Sequence, residues 1–561
     1  MSDLLARARA WAAEDPDPRT RAELLELVAE VAAETWADST TTSGAADRLA
    51  DAFAATLEFG TAGLRGALGP GPNRMNRVVV ARAAAGLAAH LLAQGAGPED
   101  TVVVGYDARH LSDVFAEDTA AVLAGAGLRA VLLPRPLPTP VLAYAVRSLH
   151  CVAGVMVTAS HNPRQDNGYK VYTGDGSQIV APVDAAVAAH IEAVGSLSTI
   201  ARSDAWSRLD EDVVEDYVRD VAALVNPAGP RDLVVAYTPL HGVGGDTVAR
   251  VLREAGFAAP HVAAQQAAPD PDFPTVAFPN PEEPGAMDLV TELAAQVGAD
   301  LALANDPDAD RCAVSVPGPH GWRNLTGDEV GALLADHALR TGVEGVYASS
   351  VVSSSLLGRL AAAHGQPHQV TLTGFKWIGR VDGLAYGYEE ALGYCVAPAL
   401  VRDKDGVSAL LKLVEVAALL RVQGRTLVDR LDDLARAHGL HATDQLSVRV
   451  QDPAVIAGLM DRLRSRPPAE LGGLRVEQVD DLADGGDGLP PTDGLRYRLA
   501  DHARVLVRPS GTEPKLKCYL EVVVPVEAGD DGGVDAARIV ALQRLDAVRK
   551  DLAALTGLTV R

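Results

Sequence analysis

The fold class is decided by residues 102–134, which have the sequence VVVGYDARHLSDVFAEDTAAVLAGAGLRAVLLP. The apolar run VVVGY at 102–106 predicts a β-strand, and AVLLP at 130–134 predicts a second one. The residues between them have helical spacing, with Ser112 as the predicted N-cap and an end near Gly125. A strand, a helix and a strand in this order predict an α/β layer in which the helix packs on a sheet.

Strands of the same apolar type recur along the chain. They are predicted in the segments LVVAY (233–237), DLALAND (300–306) and GVYASSVVSSS (345–355). From about residue 441 strand-like segments outnumber helices, which favours a smaller α+β domain. The sequence therefore predicts three α/β sheet domains followed by one α+β domain, with residues 1–50 as a helical extension. The predicted domains are 1–205, 206–325, 326–440 and 441–561.

The charge balance narrows the choice of partners. The chain has 561 residues, of which 48% are hydrophobic and 22% are charged, and its formal net charge is -24. Nucleic acid and anionic membrane surfaces would both be repelled, so neither is a predicted partner. A small anionic ligand remains compatible with this charge, because a pocket can be locally basic.

The cysteines and the N-terminal segment indicate a cytoplasmic protein. The four cysteines lie far apart without the spacing of a zinc site, which predicts free, buried thiols in a reducing compartment. The N-terminal segment turns acidic early and lacks the apolar core of a signal peptide. No stretch has about 18 uninterrupted apolar residues, so no membrane span is expected.

The stretch CVAGVMVTASHNPRQDNGYKVY, 151–172, carries the first chemical motif. Its apolar strand leads into a loop with Ser160 and His161, and Pro163 keeps this loop from becoming helical. Lys170 follows closely. A nucleophile and two candidate proton carriers are therefore predicted in one loop.

The second motif is NDPDADR, 305–311, which follows the apolar strand LALA. In an extended chain, alternate positions project to one side, so Asp306, Asp308 and Asp310 are predicted to converge on one cation. Three carboxylates suit Mg²⁺, which completes its octahedron with phosphate or water oxygens. A calcium-binding EF-hand is excluded, because Arg311 stands where that loop requires glycine.

The third motif is RPSGTEPKLK, 508–517, which joins two strand-like segments of the last domain. Arg508 offers a planar fork for two phosphate oxygens, and Gly511 permits close approach of backbone N–H groups to a ligand. The loop is therefore a candidate phosphate site. Its further donors are Ser510, Thr512 and Lys515.

These motifs resemble those of the α-D-phosphohexomutase superfamily, which contains the phosphoglucomutases and phosphomannomutases. TASHNP resembles the active-site serine loop, NDPDADR the metal loop and RPSGTEPKLK the phosphate-binding loop, in the family's order along the chain. The resemblance implies a four-domain architecture, with three α/β domains and a smaller α+β domain around a central cleft. It also implies a phosphorylated Ser160 and a Mg²⁺ held by that phosphate, Asp306, Asp308 and Asp310.

Shorter strings extend the resemblance. Arg65 in GTAGLRG is implied to act close to the transferring phosphate. In GYEEALGY, Glu389, with Glu390 beside it, is implied to bind the vicinal hydroxyls of a sugar, for which carboxylates are good acceptors. The loop at Arg508 is implied to grip the phosphate that is not transferred. Further substrate contacts are predicted from Arg311, Thr373, Gly374 and Lys404.

Two departures from the family pattern bear on the sugar. Many bacterial phosphomannomutase/phosphoglucomutases have a serine where this chain has Ala391, and a histidine where it has Tyr394. The motifs look closest to the branch with phosphoglucomutase-2 and phosphopentomutase-like enzymes. Glucose 1-phosphate and glucose 6-phosphate are the predicted pair, with mannose and pentose phosphates as alternatives.

The resemblance implies a mutase reaction. Phosphorylated Ser160 donates its phosphoryl group to a sugar monophosphate, and the resulting bisphosphate turns over before its other phosphate returns to the serine. Mg²⁺ and Arg65 would neutralise the transferring group, and Lys170 and His161 are the candidates for moving the hydroxyl proton. A sugar 1,6-bisphosphate is the expected activator, and a monomer or homodimer is expected. The alternatives are a catalytically silent sugar-phosphate sensor, which the intact site residues argue against, and a hydrolase.

Overall fold

The computed structural model describes residues 1–36, 44–60, 63–450, 453–510, 515–527 and 532–557. The chain forms two compact units, Met1–Asn324 with Gly393–Glu415, and Leu325–Leu392 with Val416–Arg561. No helix within the described ranges is long and apolar enough to cross a membrane. All four cysteines are buried and free, as predicted.

Three helices precede the first sheet, and they form the predicted helical extension. Their apolar faces make a small core of their own, in which Leu24 and Leu49 are fully buried. Pro18 begins the second of these helices, where its fixed φ suits the first turn and its missing N–H is not needed. The helices are α1 (Ser2–Glu14), α2 (Pro18–Trp36) and α3 (Ala45–Ala52).

The first sheet has six strands in the order β1-β5-β4-β2-β3-β6. Its strands are β1 (Leu64–Ala67), β2 (Thr101–Tyr106), β3 (Arg129–Leu132), β4 (Ala153–Val157), β5 (Asp166–Thr173) and β6 (Ser207–Arg208). Its helices are α4 (Arg77–Ala93), α5 (Ser112–Gly125), α6 (Thr139–Ser148), α7 (Val183–Glu192) and α8 (Asp212–Ala222). Strand β2 is parallel to β3 and β4, since α5 and α6 supply the crossovers, whereas β5 returns antiparallel beside β4. The turn between β4 and β5 contains Ser160.

The second sheet has five strands in the order β11-β10-β9-β7-β8. Strand β9 lies parallel to β7, and the chain then turns and returns antiparallel as β10. The turn between β9 and β10 contains the three aspartates. The strands are β7 (Val235–Thr238), β8 (His261–Val262), β9 (Leu301–Ala304), β10 (Ala313–Gly318) and β11 (Gly321–Asn324), with helices α9 (Gly244–Glu254) and α10 (Asp288–Val297).

The next segment is again α/β. Helix α11 (Gly327–Arg340) begins with a capping box, in which Thr326 accepts from the Glu329 backbone and Glu329 accepts from the Thr326 backbone. The strands are β12 (Val346–Ser350), β13 (His368–Thr371), β14 (Leu384–Glu389) and β15 (Gly393–Cys395). Strand β12 is parallel to both β13 and β14. The other helices are α12 (Leu356–Ala363), α13 (Phe375–Ile378), α14 (Gly406–Val422) and α15 (Leu427–His438).

The last sheet has six strands in the order β16-β21-β20-β19-β18-β17, and its described pairings are all antiparallel. Its apolar face packs with the two last helices, around the fully buried Tyr497 and Leu516. This arrangement matches the predicted α+β character. The strands are β16 (Leu440–Arg449), β17 (Glu470–Leu471), β18 (Leu474–Asp481), β19 (Leu495–Leu499), β20 (Arg504–Pro509) and β21 (Lys515–Val524), with helices α16 (Pro453–Ser465) and α17 (Gly532–Thr556).

One local prediction is wrong. Ser112 is not the N-cap of α5 but its first residue, because Leu111 adopts a left-handed conformation with φ 65° immediately before it. The Ser112 hydroxyl donates instead to Asp107 Oδ1 at 2.7 Å. The Ser112 oxygen also accepts from Asn167 Nδ2 at 3.0 Å, so the hydroxyl is engaged with two side chains rather than capping the helix.

The close packing of α4 against α7 at Gly86 leads to a prediction about the stability of the protein. A Cβ at Gly86 would lie 2.3 Å from Ile191 Cγ1 and 2.7 Å from Ile191 N, and the backbone atom cannot move away cheaply. Gly86→Ala should therefore destabilise the protein by about 1–3 kcal/mol, although alanine favours the helix by about 1 kcal/mol. Gly245→Ala on α9, where a Cβ meets nothing closer than 3.6 Å, is the control and should be neutral or stabilising. Calorimetric unfolding of both variants checks this, and equal effects would contradict it.

Candidate active site

Ser160 lies in the turn between β4 and β5 in a conformation that serine seldom adopts. Its φ is 52°, in the left-handed region, and its side chain is buried. The backbone N–H of Ser160 donates to Thr158 Oγ1 at 2.9 Å, and the Thr158 hydroxyl donates in turn to Asp107 Oδ2 at 2.6 Å. The backbone carbonyl of Ser160 accepts from Arg109 Nη2 at 2.6 Å. The backbone N–H and carbonyl of Ser160 are therefore hydrogen-bonded to side chains and not to a neighbouring strand or helix turn.

The Ser160 hydroxyl faces two of the predicted partners. Its Oγ lies 2.8 Å from Asp306 Oδ2, to which it donates, and 3.1 Å from His161 Nδ1. Burial, followed by the positive charges of Arg311 and Arg65, holds the pKa of His161 well below its usual range. His161 is therefore neutral near pH 7.

The three aspartates converge, but not in the way that the sequence predicts. They lie in a tight turn after β9, where Ala309 has φ 53°, and not on an extended chain. One carboxylate oxygen of each lies within 4.8 Å of the others, and all three residues are fully buried. The turn brings the carboxylates together because it folds the chain back towards β10, whereas an extended chain would space them along a line. The residues are Asp306, Asp308 and Asp310.

In two of these three carboxylates, one oxygen accepts no hydrogen bond from the described residues. Asp308 Oδ2 accepts from Lys170 Nζ at 2.8 Å and from Thr139 Oγ1 at 2.6 Å, and Asp310 Oδ2 accepts from Lys170 Nζ at 2.9 Å. Asp308 Oδ1 and Asp310 Oδ1 have no hydrogen-bond partner among the described residues. Buried carboxylate oxygens without donors are the ligands that a hard cation requires, so this donor set fits a divalent metal ion.

The charges of the site are unevenly balanced. Burial and the neighbouring carboxylates of Asp308 and Asp310 raise the pKa of Asp306 well above its usual range. Burial alone would also raise the pKa of Asp310, but Lys170, Lys404 and the guanidinium beside it outweigh that effect and lower it. The negative charge of Asp310 is thus stabilised by neighbouring cations, whereas the negative charge of Asp306 needs a further partner. A bound cation would supply that partner.

Lys170 differs in place from its predicted position. It lies on β5 and not in the serine loop, so the strand carries its ammonium group back to the aspartates. Burial lowers the pKa of Lys170, but the charges of Asp308 and Asp310 outweigh it, and the net pKa is raised. Lys404 lies on the same side of the cluster, with its Nζ 3.4 Å from Asp310 Oδ2.

Arg65 and Arg311 also reach this region. Arg65 lies on β1, and its Nη1 donates to Asn162 Oδ1 in the serine loop at 3.1 Å. The backbone N–H of Arg311 donates to Asp306 Oδ1 at 3.1 Å, and its Nη1 lies 3.4 Å from Glu282 Oε2. The structure therefore brings Arg65, Ser160, His161, Lys170, Lys404, Arg311 and the three aspartates together within one unit.

Several supporting residues escaped the sequence reasoning. Arg109 and Asp107 follow β2 in the segment GYDARH, and a charged pair directly after a buried parallel strand was a usable signal. Thr139 could not be anticipated, because its bond to Asp308 joins residues 169 positions apart. Asp403 accepts from Tyr172 and Gln178 at 2.8 Å and 2.7 Å.

The two glutamates of the predicted sugar loop, Glu389 and Glu390, lie in the other compact unit. Glu390 accepts from Ser350 Oγ at 3.0 Å and from Ser353 Oγ at 3.1 Å. Burial, the Glu389 charge and Asp328 raise the pKa of Glu390 to about 7. Thr373 is half-buried, and Gly374, with φ 104°, precedes α13 in a conformation that favours glycine.

The predicted phosphate loop lies in the same unit and is described in part. Arg508 lies near the end of β20, and β21 begins at Lys515. The Ser510 backbone N–H donates to the Lys515 carbonyl at 2.8 Å, which closes the base of the loop. Gly511 and Thr512 lie outside the described residues.

Four family models match the chain in succession. They are the phosphoglucomutase/phosphomannomutase alpha/beta/alpha domain I (residues 56–197), domain II (215–319), domain III (326–437) and C-terminal domain (448–536). A solved structure of a putative phosphomannomutase from Thermus thermophilus has a similar fold, with a TM-score of 0.69 and 29% identity over 89% of this chain and 99% of that chain.

Named relatives agree with these matches. A probable phosphomannomutase of Haemophilus influenzae is 47% identical over 80% of this chain and 93% of the relative. A probable phosphoribomutase of Schizosaccharomyces pombe is 36% identical over 91% and 92%, and a phosphoglucomutase of Staphylococcus aureus is 33% identical over 85% and 91%. The chain therefore belongs to the phosphoglucomutase/phosphomannomutase family. It is a phosphosugar mutase, an isomerase that transfers a phosphoryl group within a sugar phosphate, which confirms the predicted enzyme class.

The raised pKa of Glu390 predicts a pH dependence of stability. Between about pH 4.5 and pH 7 the folded carboxyl keeps a proton that the unfolded chain has lost, so its contribution to stability falls as the pH rises through this window. Glu390→Gln keeps a hydrogen-bond acceptor without a charge. Its thermal midpoint, relative to wild type, should therefore rise from pH 5 to pH 8. Glu344→Gln, at an exposed glutamate, is the control, and a pH-independent difference for Glu390→Gln would contradict the assignment.

Proposed function

We propose that this mutase works through a phosphoserine at Ser160. The observation that carries the proposal is the contact of the Ser160 hydroxyl with the acidic turn, 2.8 Å from Asp306 Oδ2, beside the unpartnered oxygens of Asp308 and Asp310. A phosphate on this oxygen would lie next to any cation that the turn holds.

The chemistry has two mirrored transfers. In the first, the bond between phosphorus and Ser160 Oγ breaks, and a bond forms to a free hydroxyl of the sugar monophosphate, whose proton leaves. In the second, the sugar bisphosphate has turned over, and its other phosphoryl group returns to Ser160 Oγ while the new sugar hydroxyl regains a proton. A single serine must face both ends of the sugar in succession. Because a sugar 1,6-bisphosphate can donate a phosphoryl group to Ser160, it is the proposed activator of an enzyme whose serine has lost its phosphate.

The metal in this proposal is Mg²⁺, with Asp306, Asp308 and Asp310 as its protein ligands. When bound, it supplies positive charge that stabilises the transferring phosphoryl group. The turn provides only oxygen ligands, which Mg²⁺ prefers. The described residues place no histidine nitrogen or cysteine sulfur in the acidic cluster, so a soft metal is disfavoured.

We assign roles to five further side chains around the site from their positions. Arg65, which binds the serine loop through Asn162, adds positive charge near the transferring phosphate. Lys170 and His161 are the proposed proton carriers for the sugar hydroxyl, and Lys170 is favoured by the family pattern. Arg311 and Lys404 are proposed to contact the substrate.

The second unit is proposed to recognise the sugar and its distal phosphate. Glu389 and Glu390 would accept hydrogen bonds from vicinal hydroxyls, with Thr373 and Gly374 helping to select the orientation of the sugar. The phosphate that is not transferred would be held by Arg508, Ser510, Gly511, Thr512 and Lys515.

Glucose 1-phosphate and glucose 6-phosphate are the proposed substrate pair. The name of the Staphylococcus relative supports glucose, whereas the Haemophilus and Schizosaccharomyces relatives are named for mannose and ribose. Mannose and pentose phosphates are therefore the competing substrates. We further propose a cytoplasmic monomer or homodimer, with domains at 1–205, 206–325, 326–440 and 441–561.

Replacement of the nucleophile tests the phosphoserine. Ser160→Ala should abolish turnover while the fold is kept, because a loop hydroxyl contributes little to a core. Phosphorus NMR should show wild type converting glucose 1-phosphate to glucose 6-phosphate, faster than it converts mannose or ribose 1-phosphate. Intact mass should show one added phosphate after incubation of wild type with glucose 1,6-bisphosphate. The exposed Ser207→Ala is the control, and turnover by Ser160→Ala would refute the mechanism.

Removal of one ligand charge tests the metal site. Asp308→Asn keeps the side-chain volume but weakens the cation ligand, so Mg²⁺ should no longer raise the thermal midpoint as it does in wild type. Asp113→Asn, at an exposed aspartate on α5, should respond to Mg²⁺ like wild type. EDTA should also remove activity, and added Mg²⁺ should restore it. An unchanged Mg²⁺ response in Asp308→Asn would place the ion elsewhere.

A further inference from the structure

The guanidinium of Arg109 lies inside the serine loop. Its Nη2 donates to the carbonyls of Ser160 and Asn162 at 2.6 Å and 2.5 Å, and its Nη1 donates to those of Pro163 and Asp166 at 2.9 Å and 3.2 Å. Arg109 is only 4% exposed. One side chain thus binds four main-chain carbonyls, three in the turn between β4 and β5 and the fourth at Asp166, the first residue of β5.

These bonds matter because the loop has little regular structure of its own. The left-handed Ser160 cannot continue the β4 ladder, so its carbonyl needs a donor from elsewhere. Arg109 supplies that donor, and the same guanidinium also donates to the three later carbonyls of Asn162, Pro163 and Asp166. The direction of Ser160 Oγ follows from the backbone conformation, and a misplacement of about 1 Å in a reacting group can cost roughly 100-fold in rate.

The other side of the guanidinium rests on an aromatic ring. The centre of the Phe273 ring lies 5.0 Å from the guanidinium carbon, in the range of a cation–π contact. Phe273 is 3% exposed and has φ 46°, so the connection between β8 and α10 holds it in an unusual conformation. On the third side, Arg109 Nε lies 3.4 Å from Asp107 Oδ2.

We propose that Arg109, seated on Phe273, is a positioning residue for phosphoryl transfer that acts through the main chain of the nucleophile loop. Both terminal nitrogens are engaged with carbonyls, so Arg109 affects the reacting oxygen through the loop and not by contact with the sugar. The inference rests on the proposed function, in which Ser160 is the nucleophile. It extends that function to two residues that lie 164 positions apart in the chain.

Lysine cannot replace this geometry. A guanidinium presents a planar fork of N–H groups, which suits four carbonyls arranged around it, whereas an ammonium has three donors on one atom. Arg109→Lys keeps the charge but should lose at least one loop contact. Phe273→Leu keeps an apolar side chain but removes the ring face, so it should have a smaller effect of the same kind.

The test compares turnover with substrate affinity. Arg109→Lys should lower kcat for glucose 1-phosphate by about 10- to 100-fold and leave KM within about threefold, since the loop and not the sugar is disturbed. The rate at which glucose 1,6-bisphosphate phosphorylates Ser160, followed by intact mass, should fall by a similar factor. Phe273→Leu should lower both rates by about 3- to 10-fold. Arg164→Lys, at a 65% exposed arginine of the same loop, is the control and should behave like wild type.

Each outcome of these measurements either supports or overturns the proposed role of Arg109. A kcat for Arg109→Lys equal to that of Arg164→Lys would overturn the inference, and so would a defect confined to KM, which would mean direct substrate contact. Activity losses in both Arg109→Lys and Phe273→Leu that match the fraction of unfolded protein, measured by circular dichroism, would show a general structural role instead. Turnover by Ser160→Ala would overturn the proposed function itself. A normal Arg109→Lys beside an inactive Ser160→Ala would overturn this inference alone.

Discussion

The structure around the site depends on the burial of three carboxylates in one turn. Charges of one sign that are removed from water repel each other strongly and lose their hydration, so they must be neutralised or protonated. Asp306, Asp308 and Asp310 are all fully buried, and cations converge on them from separate segments of the chain. Lys170 arrives from β5, and Lys404 from the segment before α14. Among the described residues, Asp308 Oδ1 and Asp310 Oδ1 have no hydrogen-bond donor, so a bound cation would complete this neutralisation.

A second constraint acts on Ser160, the proposed nucleophile. Ser160 can face the acidic turn only because its backbone adopts a left-handed conformation, which costs a non-glycine residue about 1–2 kcal/mol. The cost is offset by two hydrogen bonds, in which the Ser160 N–H donates to Thr158 and the Ser160 carbonyl accepts from Arg109. Side-chain partners therefore hold the loop in place, which suits the role of nucleophile that we propose for the Ser160 oxygen.

The local geometry of the site differs in part from what the sequence predicts. The sequence predicts Ser160 as nucleophile and the three aspartates as metal ligands, because such groups have characteristic residue types in short strings. Their local conformations were partly wrong, since the aspartates lie in a turn and Lys170 lies on a strand. Arg109 was overlooked, although GYDARH follows a buried strand. Its role is visible only when its four carbonyl partners are seen together.

The sequence by itself determined the α/β class and the family, and it predicted a nucleophile and a set of metal ligands, because these depend on local patterns of apolar strands and short polar motifs. Only the tertiary structure decided which charges neutralise the acidic turn and which side chains hold Ser160. Thr139 binds Asp308 across 169 positions, and Arg109 meets Phe273 across a comparable distance in the chain. Such pairs leave no local signal, because hydrogen bonds and ion pairs depend on distances in space, which the tertiary fold sets.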